Sequence, residues 1–372
     1  MVTWKRTAKT VFLPVFLAVL LIGGLIEKGN GQQAEKPIKL TYALFMPATS
    51  VISKKNMEYA QEIEKRTNGR VQITVQHSGS LLGGRPMFDG VRTGIADMGH
   101  GMSTYNPGNF PFTQIAELPS ASESGWVISN VFYDFLEKYQ LKEWNDVHML
   151  TPTGSGFGST VIATGKVPIR KLEDLKGKSF RTNFADVTAA LGATVKDVPM
   201  AEVFDSISKG VIDGIQTSSE PLKNWRLADA AKYVTLFFGP VMPANVIYNI
   251  MNKNKWNSLP SDIQKIITDV SLEYNRNFGL TWDEQLVQGI EYSKSVGNTI
   301  YVLPKEEAAR WTAAILPVVD ACLKSVVAKG FTQIEVEESW AYFKSRVAYW
   351  NGQQAKNNVA PVQAQMEAVL KK

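Results

Sequence analysis

The sequence predicts an α/β protein of two lobes joined at a hinge and braced by one long helix. Three observations carry that expectation. Strand-like and helix-like segments alternate from residue 38 to about 100, and the alternation restarts near residue 159. A proline-free stretch from Ser261 to Ser295 then has the apolar spacing of a single helix. Alternating strands and helices are the pattern of a largely parallel sheet covered by helices.

Lys5, Arg6 and Lys9 precede an apolar run from Val11 to Ile26, and a polar, small-residue segment follows from Glu27. That order is the layout of a secretory signal, expected over residues 1–33 with cleavage between Gly29 and Ala34. The run is shorter than the roughly 20 residues of a spanning helix, and no second stretch reads as spanning. An exported, periplasmic protein is expected.

Ile38 to Ala43 alternates as a strand, and Ser53 to Arg66 carries Met57, Ala60 and Ile63 on one helical face. Val71 to Gln76 is strict apolar/polar alternation. Leu82-Gly83-Gly84-Arg85 makes a turn into a short helix ending near Val91, and Gly94 to His100 reads as a turn and a small-residue strand. In the second half, strands are expected near Ser159–Ala163, Ser179–Thr182, Thr194–Asp197 and Gly214–Gln216, with helices near Ala185–Leu191 and Ala201–Lys209. Ser261 is placed to cap the long helix and Gly297 to end it, while Gly279 and Gly289 interrupt its interior. Lobe I is assigned to 35–158 plus 248–287, and lobe II to 159–247 plus 288–365.

The chain has 372 residues, 44% hydrophobic and 20% charged, which excludes collagen-like, low-complexity and polytopic membrane classes. Its formal charge is +5, but the signal holds Lys5, Arg6, Lys9 and Lys28 against Glu27, leaving about +2. A near-neutral chain gives no basis for nucleic-acid binding. The single Cys322 cannot form an internal disulfide and reads as a small buried apolar side chain.

No catalytic or cofactor spacing is found. His77, His100 and His148 show no metal-ligand spacing and read as surface or pocket-edge residues. Gly177-Lys178-Ser179 lacks the earlier glycine of a phosphate loop, where Leu172 stands. Gly154 to Ser159 lacks the last glycine of a dinucleotide fingerprint, and no G-x-S-x-G elbow occurs. Glu173-Asp174 and Glu306-Glu307 sit at helix starts, where acids complement the helix dipole. What remains is a binding cleft. Arg181 ends the strand Ser179-Phe180-Arg181, where a planar guanidinium either meets a carboxylate or lies on an ordinary surface.

The stretch Pro168-Ile169-Arg170-Lys171-Leu172-Glu173-Asp174-Leu175-Lys176-Gly177-Lys178-Ser179-Phe180-Arg181 resembles a family pattern, P-I-x-x-x-x-D-L-K-G-x-x-x-R. The family is the periplasmic solute-binding subunits of tripartite ATP-independent (TRAP) transporters, the DctP-type receptors for C4-dicarboxylates and sialic acid. Pro199-Met200-Ala201-Glu202-Val203-Phe204 with Gly210-Val211-Ile212-Asp213-Gly214 is similar to a second family segment. Leu82 to Arg85, Gly94 to Asp97 and Trp256 to Pro260 add support, and the similarity spans most of residues 38–345.

The resemblance implies a type II-like periplasmic binding fold and a receptor, not an enzyme, without cofactor or metal. It implies that Arg181 pairs with a ligand carboxylate, that Met200 is a pocket wall, and that Phe45 and Met46 lie in a loop facing the ligand. Where the family often has Asn after the Asp-Gly pair, this chain offers Gln216, Thr217 or Ser218. Val161 stands where sialic acid receptors carry a further Arg, so a sialic acid ligand is disfavoured. Phe45, Met46, Phe157, Val161 and Met200 instead suggest a monocarboxylate with an apolar or aromatic body. Gln216, Thr217, Asn245 and His100 are candidate polar contacts. The expected partners are that ligand and TRAP membrane permease subunits, with the receptor a monomer. Two alternatives are kept: a sensor reporting to a signalling receptor, and an exported enzyme with His100 as base.

Overall fold

The computed structural model describes residues 36–155, 160–238 and 243–372. The expected signal and Phe157 lie outside the described residues. In chain order the first elements are β1 (Ile38–Leu44), α1 (Val51–Arg66), β2 (Val71–Gln76), α2 (Met87–Arg92), β3 (Met98–Met102), α3 (Gly125–Tyr139) and β4 (Val147–Ser155). They are followed by β5 (Thr160–Thr164), β6 (Ser179–Arg181), α4 (Ala185–Ala190), β7 (Thr194–Val195), α5 (Val203–Ser208), β8 (Gly214–Thr217), α6 (Glu220–Asn224) and β9 (Tyr233–Phe237). The last are β10 (Asn245–Asn252), α7 (Lys253–Asn257), α8 (Ser261–Ser295), β11 (Thr299–Val302), α9 (Lys305–Ala328), α10 (Gln333–Gln353) and α11 (Val362–Lys371).

The strands form two sheets, ordered β2-β1-β3-β10-β4 and β11-β9-β5-β8-β6-β7. These are the two lobes, and they share one pairing plan. β1 lies parallel to β2 and β3 as β6 lies parallel to β7 and β8. β10 then runs antiparallel between β3 and β4, as β5 does between β8 and β9.

The same local device starts the inner parallel strand of each sheet. A helix ends at a glycine of positive φ, Gly94 (84°) or Gly210 (74°), and two residues intervene before an aspartate. Asp97 accepts from the Thr41 amide at 2.7 Å and its hydroxyl at 2.9 Å. Asp213 accepts from the Ser179 amide at 2.8 Å and its hydroxyl at 3.1 Å. Each carboxylate thereby ties the neighbouring parallel strand. Gly214 is required next because a Cβ there would collide with the Ala163 carbonyl of β5.

α1 begins at Val51, two residues earlier than the apolar spacing indicates, because Ser50 caps it by accepting from the Ile52 amide at 3.2 Å. α8 runs unbroken over 35 residues, roughly 50 Å at 1.5 Å per residue. Pro260, not Ser261, holds its N-terminal flanking position, and Ser261 is the first helical residue. Its Ile263 and Ile267 pack in the core of the first lobe, and its Leu286 and Ile290 in that of the second. The two interior glycines mark its closest approaches. A Cβ at Gly279 would strike the Gly125 backbone at the start of α3, and one at Gly289 would strike Ser219 before α6.

α9, which does not read as spanning in the sequence, is long and apolar enough, by length and composition, to cross a membrane. Its Trp311, Ile315 and Val326 are buried, and it packs against α4 and α10. Cys322 is half-buried on that helix, and burial pushes its thiol up to about 11, in keeping with a packing role.

Helix propensity alone favours alanine over glycine by about 1 kcal/mol. Close packing reverses that sign at both positions of α8. Gly279→Ala and Gly289→Ala should each destabilise the protein by about 1–3 kcal/mol in urea unfolding, the usual range for overpacking. Equal or higher stability in either variant would contradict the close helix contacts.

Candidate functional site

Arg181 ends β6, with Phe180 buried on the opposite face among Ile162, Val187 and Leu191. Arg181 is only 6% exposed, and its Nε donates to the Val198 carbonyl at 3.3 Å. No carboxylate pairs with it among the described residues. It opens into a cavity of about 240 Å³ whose first-lobe wall holds Phe45, Arg85 and Tyr105 and whose second-lobe wall holds Met200 and Trp225. Larger grooves of about 300 Å³ lie between α1 and α8 and beside β4. The acids Glu58 and Glu62 of the first are held in exposed ion pairs with Lys55 at 2.6 Å and Arg66 at 2.7 Å, and neither groove is lined by an arginine.

Phe45, Met200 and Arg181 therefore line one cavity. Ile215 pairs with Arg181 in parallel register, so Thr217, two residues on, shares the face of Arg181, and Gln216 takes the other. Thr217 is half-buried at the end of β8, opposite Val161 of β5. Gln216 is buried and accepts from the Thr188 hydroxyl of α4. Val161 is fully buried in the second-lobe core, and Met46 is buried with its carbonyl accepting from the Ser78 amide at 2.9 Å. Asn245 starts β10, accepts from the Thr104 hydroxyl at 2.9 Å and donates to Ser155 at 3.4 Å.

His100 is fully buried rather than at a surface. Its ring lies parallel to Phe45 at 6.1 Å between centroids and edge-on to Phe278 at 6.0 Å. Nδ1 bonds the Asn249 Oδ1 at 2.9 Å, inside a network that joins Tyr42, Asn56 and Thr151. Because an amide oxygen can only accept, Nδ1 is the protonated nitrogen and Nε2 keeps its lone pair. Burial lowers the His100 pKa to about 4, against a smaller opposite pull from Asn249.

Tyr105, Arg85 and Trp225 carry no periodic signal in the sequence. Tyr105 closes a short 3-10 turn, Ser103–Tyr105, and Trp225 follows the end of α6. Arg85 belongs to the Leu82-Gly83-Gly84-Arg85 turn, whose paired glycines were the available hint. Its guanidinium forms an ion pair with Asp197 beyond β7 and so bridges the two lobes at the cavity edge. Asn183 Nδ2 approaches the Met102 sulfur at 4.0 Å across the same cleft.

The family model for the bacterial extracellular solute-binding protein, family 7, matches residues 42–325. A TRAP periplasmic solute-binding protein of Desulfovibrio salexigens is 31% identical with a TM-score of 0.69, covering 84% of this chain and 97% of its own. A TRAP solute-binding protein of Rhodoferax ferrireducens, in complex with copurified benzoate, is 23% identical with a TM-score of 0.78, covering 85% and 99%. The monocarboxylate 2-oxoacid-binding periplasmic protein of a Nostoc species is 23% identical over 300 residues, 78% of this chain and 80% of that one. The chain belongs to family 7 and is a solute receptor of the TRAP type.

The network around His100 sets a pH dependence. A histidine whose folded pKa lies below its unfolded value of about 6.5 stabilises the fold above that value, and the contribution is lost as pH falls toward 4. Between pH 7 and 4.5 the wild type should lose more stability in urea than His100→Gln. An equal loss in the two proteins would remove His100 from the acid limb.

Proposed function

We propose that this family 7 receptor captures a small monocarboxylate with an apolar or aromatic body between its lobes and passes it to TRAP permease subunits. The observation that carries the reading is the nearly dry Arg181 guanidinium, which meets a backbone carbonyl but no carboxylate among the described residues. An ionised group removed from water needs an opposite charge, and a ligand carboxylate supplies it in a planar, two-pronged geometry. The second cation at the cavity, Arg85, is already neutralised by Asp197. One carboxylate therefore balances the site, and a second would bring an unmatched negative charge.

Phe45, Met200 and Trp225 provide the apolar walls, and the volume of about 240 Å³ suits one ring or a short branched chain. It falls below the roughly 300 Å³ at which pockets for drug-sized ligands begin. The benzoate in the Rhodoferax neighbour and the 2-oxoacid in the name of the Nostoc relative belong to the same ligand class. The receptor acts in the periplasm as a monomer, after removal of residues 1–33, and binds without turnover. Its lobes, 35–158 with 248–287 and 159–247 with 288–365, close about the ligand by hinge bending, because only the closed form lets one molecule touch both walls.

A thermal-shift panel of aliphatic, 2-oxo, hydroxy and aromatic acids tests the reading. At 100 times its dissociation constant a ligand adds about 2.7 kcal/mol of stability, enough to raise the melting temperature visibly. Monocarboxylates with apolar bodies should produce the largest shifts, and Arg181→Ala should weaken the best of them at least tenfold, the loss of a charge-assisted hydrogen bond of about 1.5–3 kcal/mol. Shifts confined to dicarboxylates, or undiminished affinity in Arg181→Ala, would sink the assignment.

A further inference from the structure

We propose that Tyr105 is a specificity-determining residue whose hydroxyl, offered from the first lobe, completes with the Arg181 guanidinium of the second lobe a two-sided clamp on the ligand carboxylate. This rests on the monocarboxylate reading and names the group that supplies its second hydrogen bond.

Tyr105 and Arg181 line the same cavity from opposite lobes. Burial raises the pKa of the phenol, and the positive charge of the nearby Arg181 guanidinium opposes that rise. Arg181 Nε is already committed to the Val198 carbonyl, so its terminal nitrogens are the donors left for an anion. A phenol hydroxyl both donates and accepts. A carboxylate entering between them takes a donor from each side. An acceptor-only carboxylate suits that pair of donors, whereas a neutral amide brings an NH2 from which the guanidinium cannot accept and no charge to match it.

The ring is held in place for this task. Its edge meets Phe45 at 5.4 Å between centroids, with an interplanar angle of 81°. Gly84 packs flat against it, and a Cβ there would lie 2.5 Å from a ring carbon. The φ of Gly84 is not positive, so the backbone does not demand glycine at this position; the ring does. The clamp takes one half from each lobe, so a carboxylate held by both favours the arrangement in which the lobes are together. Carboxylate recognition thus couples ligand charge to the closed population.

Calorimetric titration with benzoate and its uncharged counterpart benzamide, on the wild type, Tyr105→Phe and Gly84→Ala, tests the clamp. Tyr105→Phe should weaken benzoate roughly ten- to a hundredfold, the effect of one hydrogen bond to a charged group, with benzamide changed less than twofold. Gly84→Ala, which displaces the ring but keeps the hydroxyl, should lose benzoate affinity in the same direction. If the wild type binds benzoate and Tyr105→Phe binds it equally well, the clamp falls while the monocarboxylate reading stands. Equal losses for benzoate and benzamide would make Tyr105 a packing residue, and tighter benzoate binding would make its hydroxyl a competitor of the ligand; either overturns the proposal. A wild type that ignores benzoate overturns the clamp together with the aromatic-acid reading.

Discussion

A guanidinium held almost out of water, with no carboxylate to meet it among the described residues, is the constraint on which the rest of the site depends. Keeping a charge in such a position requires a rigid frame, since a mobile strand end would let Arg181 swing into solvent. The frame is built from backbone bonds. β6 is only three residues long, and Asp213 fastens its first residue through both amide and hydroxyl. Asp174 accepts from the amides of Arg170 and Lys171 at 2.8 and 3.2 Å and so fixes the turn that leads into β6. The aspartates of the two family motifs, Asp174 and Asp213, thus do not line the cavity. They hold the strand that carries Arg181, which does.

The first lobe uses the same device, with Asp97 on Thr41, and carries at the end of β1 the Phe45 that faces Arg181 across the cavity. Two copies of one plan therefore present two different walls: apolar rings from one side, a cation and Met200 from the other. α8 connects them, and its two glycines place its contacts with α3 and α6 at backbone distance. Asp283 of the same helix accepts from the Gly125 and Trp126 amides at 2.5 and 3.3 Å and thus caps α3. A helix anchored this closely in both cores resists sliding, so relative motion is left to the strand connections and to contacts such as Arg85 with Asp197 that cross the open edge.

Much of this frame was legible in the sequence, for a physical reason. Alternation at Val71 to Gln76 and the long apolar recurrence in α8 are imposed by burial on one face, and burial leaves a period. Arg181 was legible as a strand-ending cation, and its placement followed from the motif. Tyr105 and Trp225 were not, because they sit in a 3-10 turn and just past a short helix, where no period operates and only tertiary packing decides what a side chain faces. The glycines of α8 looked like interruptions because propensity counts only the local backbone, while the missing Cβ atoms serve contacts more than 60 residues away in sequence.

Charge balance at the cavity connects the frame to selectivity. The sequence contains no second arginine in the β5 position, where Val161 is buried in the core, yet the structure brings Arg85 to the cavity from a glycine-rich turn. A second cation would ordinarily reopen the case for a dicarboxylate. It does not here, because Asp197 comes from the opposite lobe to neutralise it. Both partners are exposed, so the pair contributes little to stability, about 0–1 kcal/mol for a surface ion pair. Under the proposed function its effect is on recognition: with Arg85 paired to Asp197, Arg181 is the cation left at the cavity without a carboxylate among the described residues. On the proposed reading the closed cleft presents one positive charge at one end and apolar rings at the other, which complements an acid with a single carboxylate and a body that prefers to leave water.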